Sequence, residues 1–249
     1  MTDVAFGIDI GGSGIKGAPV DLATGKFTAE RVRIPTPQPS TPKAVAKTIA
    51  KLLAQFGDDA KGLPIGITVP AVVINGVTVS AANIDKKWVN YPARDVISDL
   101  LGRPVTLLND ADAAGLAELH YGAAQGQQGL VIVTTLGTGI GSALIYNGVL
   151  VPNCELGHIE IDGFPAEKRA ASRVRTDEDL SWGTYTKRLQ RFYETLEFLF
   201  HPDLFVVGGG ISRNSEKFLP YLTLTAPIVP AQLRNQAGIA GAARYAAEG

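Results

Sequence analysis

A strand that runs into a glycine cluster and turns directly into a second strand occurs twice in this chain, and no other feature limits the possible folds as much. The first copy is Val4-Ala-Phe-Gly-Ile-Asp-Ile, followed by Gly11-Gly-Ser-Gly-Ile-Lys-Gly and the apolar stretch Ala18-Pro-Val-Asp-Leu. The second is Leu130-Val-Ile-Val-Thr-Thr-Leu-Gly-Thr-Gly-Ile-Gly-Ser-Ala-Leu-Ile-Tyr. Aliphatic, β-branched runs bounded by glycine read as buried strands, and the glycines supply a tight turn or a close backbone approach. With one deletion, Asp9-Ile-Gly-Gly-Ser-Gly-Ile-Lys-Gly-Ala lies over Thr135-Leu-Gly-Thr-Gly-Ile-Gly-Ser-Ala. This suggests two related halves, although glycine-rich segments also match by chance, and the residues alone leave the duplication open.

Between and beyond the hairpins the pattern alternates strand and helix. Ala23-Thr-Gly-Lys marks a turn into a third strand around Phe27 to Ile34, and a proline-rich connection follows from Pro35. Val45, Ile49, Leu52, Leu53 and Phe56 recur at helical spacing. Strands are predicted at Ile65–Val69 and Val105–Leu108, the latter ending in Asn109-Asp110 before an alanine-rich helix over 111–121. In the second half, Thr176-Asp-Glu-Asp reads as a capping box, and Leu189, Phe192, Leu196 and Leu199 as the stripe of a helix stopped by Pro202. Leu204-Phe-Val-Val is a buried strand entering Gly208-Gly-Gly, and a helix from about Gly238 to Ala247 closes the pattern.

Composition excludes several function classes. The 249 residues carry 24 acidic against 23 basic side chains, a net charge of −1, so bulk electrostatics give no affinity for nucleic acid or a membrane surface. With 45% hydrophobic and 19% charged residues the chain can bury a real core. The lone cysteine, Cys154, excludes an intramolecular disulfide framework and any multi-cysteine zinc site. The start Met1-Thr-Asp-Val-Ala-Phe lacks the features of a secretory signal, and no apolar run is long enough to span a bilayer. A cytoplasmic location is the expectation.

Gly12, Gly14 and Gly17 satisfy the dinucleotide pattern G-x-G-x-x-G, and Glu30 even supplies an acidic residue downstream. That fingerprint requires a helix immediately after the turn, whereas Pro19 and the apolar residues up to Leu22 favour a strand. A Walker loop fails as well, because Lys16 precedes Gly17 and no Lys-Ser/Thr pair follows. What remains is either a plain hairpin turn or a hairpin tip whose backbone N–H groups, with Ser13 and Lys16 at hand, hold phosphate oxygens. Two such tips favour the second reading. At Asn109-Asp110-Ala-Asp112 a helix cap and a general base are equally consistent with the residues. Glu155, His158 and Glu160, near Cys154, lack the second ligand pair that a metal site would need. Lys168, Arg169, Arg173 and Arg175 are either a solvated face or, with Lys16, Lys86, Lys87 and Arg94, a local means of neutralising a polyanion.

Taken in order, Asp9-Ile-Gly-Gly-Ser-Gly-Ile-Lys-Gly, Leu108-Asn-Asp-Ala-Asp-Ala, Leu136-Gly-Thr-Gly-Ile-Gly-Ser-Ala, Glu155-Leu-Gly-His158 and Val207-Gly-Gly-Gly-Ile-Ser resemble the ROK sugar kinases of the actin-like ATPase superfamily. The resemblance covers nearly the whole chain. Ala71-Val-Val onward to Ala82-Asn83, and the segment from Pro227 to Ile239, look like the polyphosphate-using glucokinase branch. The resemblance implies an α/β, ribonuclease H-like fold with two domains flanking a cleft. The division read from the sequence is 1–109, completed by a C-terminal helix at about 238–249, against 110–237.

The resemblance also implies phosphoryl transfer from inorganic polyphosphate, or ATP, to the 6-hydroxyl of glucose, with mannose as a further acceptor. Asp110 would be the base, and Asp112 a local helix cap. Asn83, Asn109, Asp110, Glu155, His158 and Glu167 would bind the sugar. Gly11, Gly12, Ser13, Gly14 and Lys16, with Gly137, Thr138 and Gly139, would hold phosphate, and Gly208, Gly209 and Gly210 would form a nucleotide-side loop. Asp9 would meet Mg²⁺ through water. The zinc element of many family members is replaced here by Asp162-Gly-Phe-Pro-Ala-Glu167, so no zinc is expected. A homodimer is expected. The alternatives are an ATP-dependent kinase for another hexose (mannose, fructose or N-acetylglucosamine), a non-catalytic sugar sensor, and a repressor, which would need a DNA-binding domain before the first hairpin.

Overall fold

A computed structural model describes residues 3–82 and 84–248. The chain forms two compact units, one comprising the residues up to Ala117 together with those from Gln236 onward, the other Glu118–Asn235. The division between the units falls after Ala117, inside the helix that starts at Asp110.

The first unit is built on a five-stranded sheet of β1 (Val4–Ile10), β2 (Ile15–Asp21), β3 (Val32–Ile34), β4 (Ile65–Val69) and β5 (Thr106–Asn109), in the order β3-β2-β1-β4-β5. The first three strands are antiparallel, while β4 is parallel to β1 and β5 to β4. Both faces are covered by helices. On one, α7 (Ala237–Glu248) comes so close that a Cβ at Gly7 would stand 1.9 Å from the Ile239 carbonyl oxygen, and one at Gly66 would stand 1.8 Å from that of Ala242. Only glycine permits this backbone-to-backbone approach. On the other, α1 (Pro42–Ala54) presents Leu52 to Gly17 and buries Val45, Ile49 and Leu52, the stripe its sequence predicts. Thr41 caps α1 by accepting a bond from the Ala44 amide. The helices α2 (Ala93–Leu101) and α3 (Asp110–Tyr121) complete the unit's helical complement, α3 continuing into the second unit.

The second unit repeats the plan. Its strands β6 (Leu130–Leu136), β7 (Ile140–Tyr146), β8 (Val149–Val151), β9 (Leu204–Gly208) and β10 (Ile228–Pro230) run in the order β8-β7-β6-β9-β10, again three antiparallel and two parallel. The same order with the same strand directions is what two related halves would give. The short helices α4 (Glu167–Ala170) and α5 (Ser172–Asp177) precede α6 (Trp182–Phe200), which buries Tyr185, Leu189, Phe192, Tyr193 and Leu196. Tyr193 is fully buried, and its hydroxyl is satisfied by Thr134 Oγ1 at 2.7 Å. Glu118, 1% exposed, is satisfied too, accepting bonds from the amides of Ala123, Gln232 and Leu233.

Four local expectations are corrected. The turn of the first hairpin is shorter than its glycine cluster, because pairing resumes at Ile15 and leaves only Gly11–Gly14 at the tip. The third strand is limited to Val32–Ile34, with a single bridge between Phe27 and Val20. Thr28 donates to the Pro19 carbonyl, and proline has no amide with which to extend that ladder. Thr176 lies inside α5, Asp179 turns the chain with φ 46°, and Ser181 caps α6 through the Thr184 amide. Leu199 points outward and is exposed.

Candidate active site

In the first unit the strand register sets four side chains in one row across the sheet. Arg33 pairs with Lys16, Lys16 with Asp9, and Asp9 with Thr68, so all four stand on the same face. Lys16 Nζ donates to Asp9 Oδ2 at 3.2 Å and Thr68 Oγ1 donates to Asp9 Oδ1 at 3.1 Å. The hairpin tip is held by two side chains from β3 and the segment after it. Thr36 Oγ1 donates to the Gly11 carbonyl at 2.6 Å, and Arg33 Nη2 to that of Ser13 at 2.8 Å, while Gly12 and Ser13 stay exposed. Carbonyls held on the inside and amides at an exposed turn are the makings of an anion cradle. Sequence reasoning missed Arg33, Thr36 and Thr68. Their signal lies in register, which emerges only once strands distant in sequence are paired.

Asp110 is the first residue of α3 and is exposed, directly after the end of β5. The capping role is carried largely by its neighbour. Asn109 Oδ1 accepts the amides of Ala111 at 2.8 Å and Asp112 at 3.1 Å, and its Nδ2 donates to the Ala71 carbonyl at 3.1 Å. A cap of this kind stabilises a helix by about 1 kcal/mol. Asp110 Oδ1 also accepts the Ala111 amide, at 2.9 Å. Asp112 is 2% exposed, and its amide is capped by Asn109.

In the second unit the tip is Gly137–Gly139, closed by the Gly137 amide on the Gly139 carbonyl at 3.0 Å, with Thr138 exposed. Glu167, at the start of α4, reaches back to this tip. Its Oε2 accepts the Ile140 amide at 3.4 Å and lies 2.4 Å from where a Gly139 Cβ would stand, so any larger residue there would evict the carboxylate. Glu155 and His158 flank a single 3₁₀ turn, with His158 Nε2 3.7 Å from Glu155 Oε2. Burial raises the Glu155 carboxyl above its usual 4.5. The His158 charge opposes this and the Glu167 charge reinforces it, which brings Glu155, His158 and Glu167 into one electrostatic neighbourhood. The turn is fixed by Ser142, another residue not foreseen, whose buried hydroxyl donates to the Cys154 carbonyl and accepts the Leu156 amide. Gly209, at φ 82°, packs against the Leu136 backbone, which sets the Gly208–Gly210 loop beside the base of the same hairpin. Asn83 lies outside the described residues.

Among the described residues no group of three or more His, Cys, Asp or Glu side chains could hold a metal ion. That matters little for Mg²⁺, which commonly uses one or two carboxylates and completes its shell with water and substrate phosphate. Asp9 fits this pattern, as a part-exposed carboxylate beside a phosphate-type tip. No helix among the described residues is long and apolar enough to cross a membrane.

Comparison with known proteins identifies the fold and the family. The polyphosphate glucokinase of Mycobacterium tuberculosis (strain ATCC 25618 / H37Rv) is 53% identical over 96% of this chain and 89% of its own length. The crystal structure of the inorganic polyphosphate/ATP-glucomannokinase from Arthrobacter sp. strain KM superposes with a TM-score of 0.94 at 53% identity, covering 99% of both chains. A ROK family glucokinase from Streptomyces griseus, crystallised with glucose and AMPPNP, gives a TM-score of 0.82 at 26% identity over 99% of this chain and 100% of that one. The fold is thus the actin-like ATPase fold of the ROK sugar kinases. The ROK family profile itself matches residues 5–173, and with half-identical relatives along almost its full length the chain belongs to the ROK family.

Proposed function

We propose that this protein is a polyphosphate glucokinase, which moves the terminal phosphoryl group of inorganic polyphosphate, and also of ATP, to the 6-hydroxyl of glucose, and accepts mannose as well. The observation that carries the reading is the 53% identity, over 96% of the chain, to an enzyme named for that donor and that sugar. In the proposed reaction the sugar O6 forms a bond to the terminal phosphorus as the bridging P–O bond breaks, giving glucose 6-phosphate and a donor one unit shorter. Asp110, exposed at the end of β5, accepts the proton that O6 releases. Asn109 uses both lone pairs of its amide oxygen on α3 and retains one amide hydrogen for the sugar. Glu155, His158, Glu167 and Asn83 are assigned to the remaining hydroxyls. The tips at Gly11–Gly14, with Lys16, and at Gly137–Gly139 cradle phosphate oxygens, and Gly208–Gly210 serves the nucleotide when ATP is the donor. Mg²⁺, held near Asp9 through water, would supply charge neutralisation to those oxygens.

The same proposal includes a cytoplasmic homodimer with no nucleic-acid or membrane partner, and a functional division at 109/110, since Asp110 opens the helix that links the two units. Initial rates with glucose and mannose, each against ATP and polyphosphate, test the donor and the sugar together. Turnover with ATP and none with polyphosphate would remove the donor assignment. Asp110→Asn should lower turnover at least ~10²-fold with glucose still bound, and a near-normal rate would refute its role as base.

A further inference from the structure

Several basic residues of the second unit are matched by carboxylates. Arg173 is paired with Asp177 at 3.0 Å, Arg188 with Glu178 at 2.7 Å and Arg191 with Asp162 at 2.8 Å, while Lys168 stands 3.9 Å from Glu167. Arg175 and Lys217 are different. Neither side chain has a hydrogen bond or an ion pair among the described residues, and both lie against the same indole. The Arg175 guanidinium is 4.0 Å from the centre of the Trp182 ring and the Lys217 ammonium 5.4 Å from it. Arg175 Nε is shut off from solvent with no partner at all. Two like charges brought to one ring without a counter-charge repel each other, a cost the indole quadrupole offsets only in part. An anion reaching both would remove it.

The surroundings indicate which anion. Arg175 belongs to α5, and the Arg173 amide of that helix donates to the Gly137 carbonyl of the phosphate-type tip at 3.0 Å. Two residues of backbone span at most about 7 Å, so Arg175 rises close beside the tip. Lys217 ends the 3₁₀ segment Gly210–Lys217, which leaves the Gly208–Gly210 loop. The platform is thus carried by both elements assigned to the donor. It suits a base poorly. Phe218 already stacks on Trp182, 7° from parallel with centroids 6.1 Å apart, and the guanidinium lies against the same indole. An anionic chain with no aromatic part needs only the two cations.

We propose that Arg175 and Lys217, carried on Trp182, form a subsite for the phosphate units of inorganic polyphosphate beyond the one transferred. The subsite deepens the donor reading above and rests on it. It makes affinity depend on chain length, since a long chain presents more phosphate units to the two cations than tripolyphosphate does, and it favours polyphosphate over ATP.

The test compares wild type with Lys217→Gln and Arg175→Gln, using long-chain polyphosphate, tripolyphosphate and ATP as donors at saturating glucose. Binding of long-chain polyphosphate is read in parallel from the quenching of tryptophan fluorescence. Each variant should raise the KM for long-chain polyphosphate about fivefold or more relative to that for ATP, with a smaller rise for tripolyphosphate, and the difference should shrink as salt screens the charges. Lys217 is exposed and touches little, so its variant folds even if loss of the Arg175 stack loosens α5. If wild type uses polyphosphate and both variants keep its KM, or the KM values for polyphosphate and ATP rise together, the subsite is overturned and the donor reading stands. If wild type neither binds nor uses polyphosphate, both fall.

Discussion

The two hairpins share a frame and differ in where their charge comes from. In the first, the carboxylate sits on the strand itself. Asp9 occupies the residue before Ile10, with Lys16, Arg33 and Thr68 in register beside it, so the charged row is as rigid as the sheet. In the second, the aligned position is Thr135, and the carboxylate at the tip is Glu167, brought in by a separate helix to the Ile140 amide. One hairpin is therefore charged by its own strands, and the other by a helix outside the sheet. A duplicated scaffold can in this way fix a carboxylate at one phosphate-type tip and bring to the other a carboxylate that also belongs to the proposed sugar-binding group of Glu155, His158 and Glu167.

Removing the strand-borne charge should have the larger effect. Asp9→Asn keeps the bond accepted from Lys16 or Thr68 but loses the anion, and should lower kcat about 10²-fold with the glucose KM little changed. An equal loss in kcat and rise in glucose KM would mean that the first tip is not confined to the donor. The corresponding change on the borrowed side is Gly139→Ala, whose Cβ would stand 2.4 Å from Glu167 Oε2. Because the carboxylate can swing away while the hairpin stays paired, the melting temperature should hold within a few degrees and the glucose KM should rise about tenfold. A collapse in stability without a change in KM would show that the tip is held by packing and that Glu167 has no part in sugar binding. Ser142→Ala should be milder, costing about 1–3 kcal/mol of stability from two broken buried bonds and raising the glucose KM a few-fold as the Glu155 turn loosens.

The contrast also explains what was legible in the sequence. Strands β1, β6 and β9 and the glycine tips follow from local pattern, because a buried aliphatic run and a glycine turn each carry their reason within a few residues. Asp110 and Glu155 were singled out through motifs of contiguous residues. Arg33, Thr36, Thr68 and Ser142 were not, because each matters through a partner across a strand pair or a loop, and nothing in the types Arg, Thr and Ser singles them out. The capping box at Thr176 failed for a related reason. Its residues suit a helix start, but Asp179 in the left-handed region and Ser181 provide the start that the packing of α6 uses. The basic run at 168–175 reads as one patch in sequence, and the fold breaks it into separate pairings, with Arg175 on Trp182 left without a carboxylate.

The smallest expected effect concerns Glu155, whose raised carboxyl belongs to the borrowed side alone. A carboxyl raised on folding costs stability only once it ionises. The protein should therefore lose a little stability as pH rises from the usual 4.5 through the raised value, and regain it as pH falls. Sugar binding should run the other way, since the neutral acid is a poorer acceptor for a hydroxyl, so the glucose KM should climb as pH drops through the same window. Glu155→Gln has no such titration. Its glucose KM should start a few-fold higher and stay flat on the acid side, with the polyphosphate KM unaffected at every pH. If the acid limb survives in Glu155→Gln, another group produces it. Glu167 is then the one to replace, because its charge is already coupled to that of Glu155 and it reaches the second tip directly.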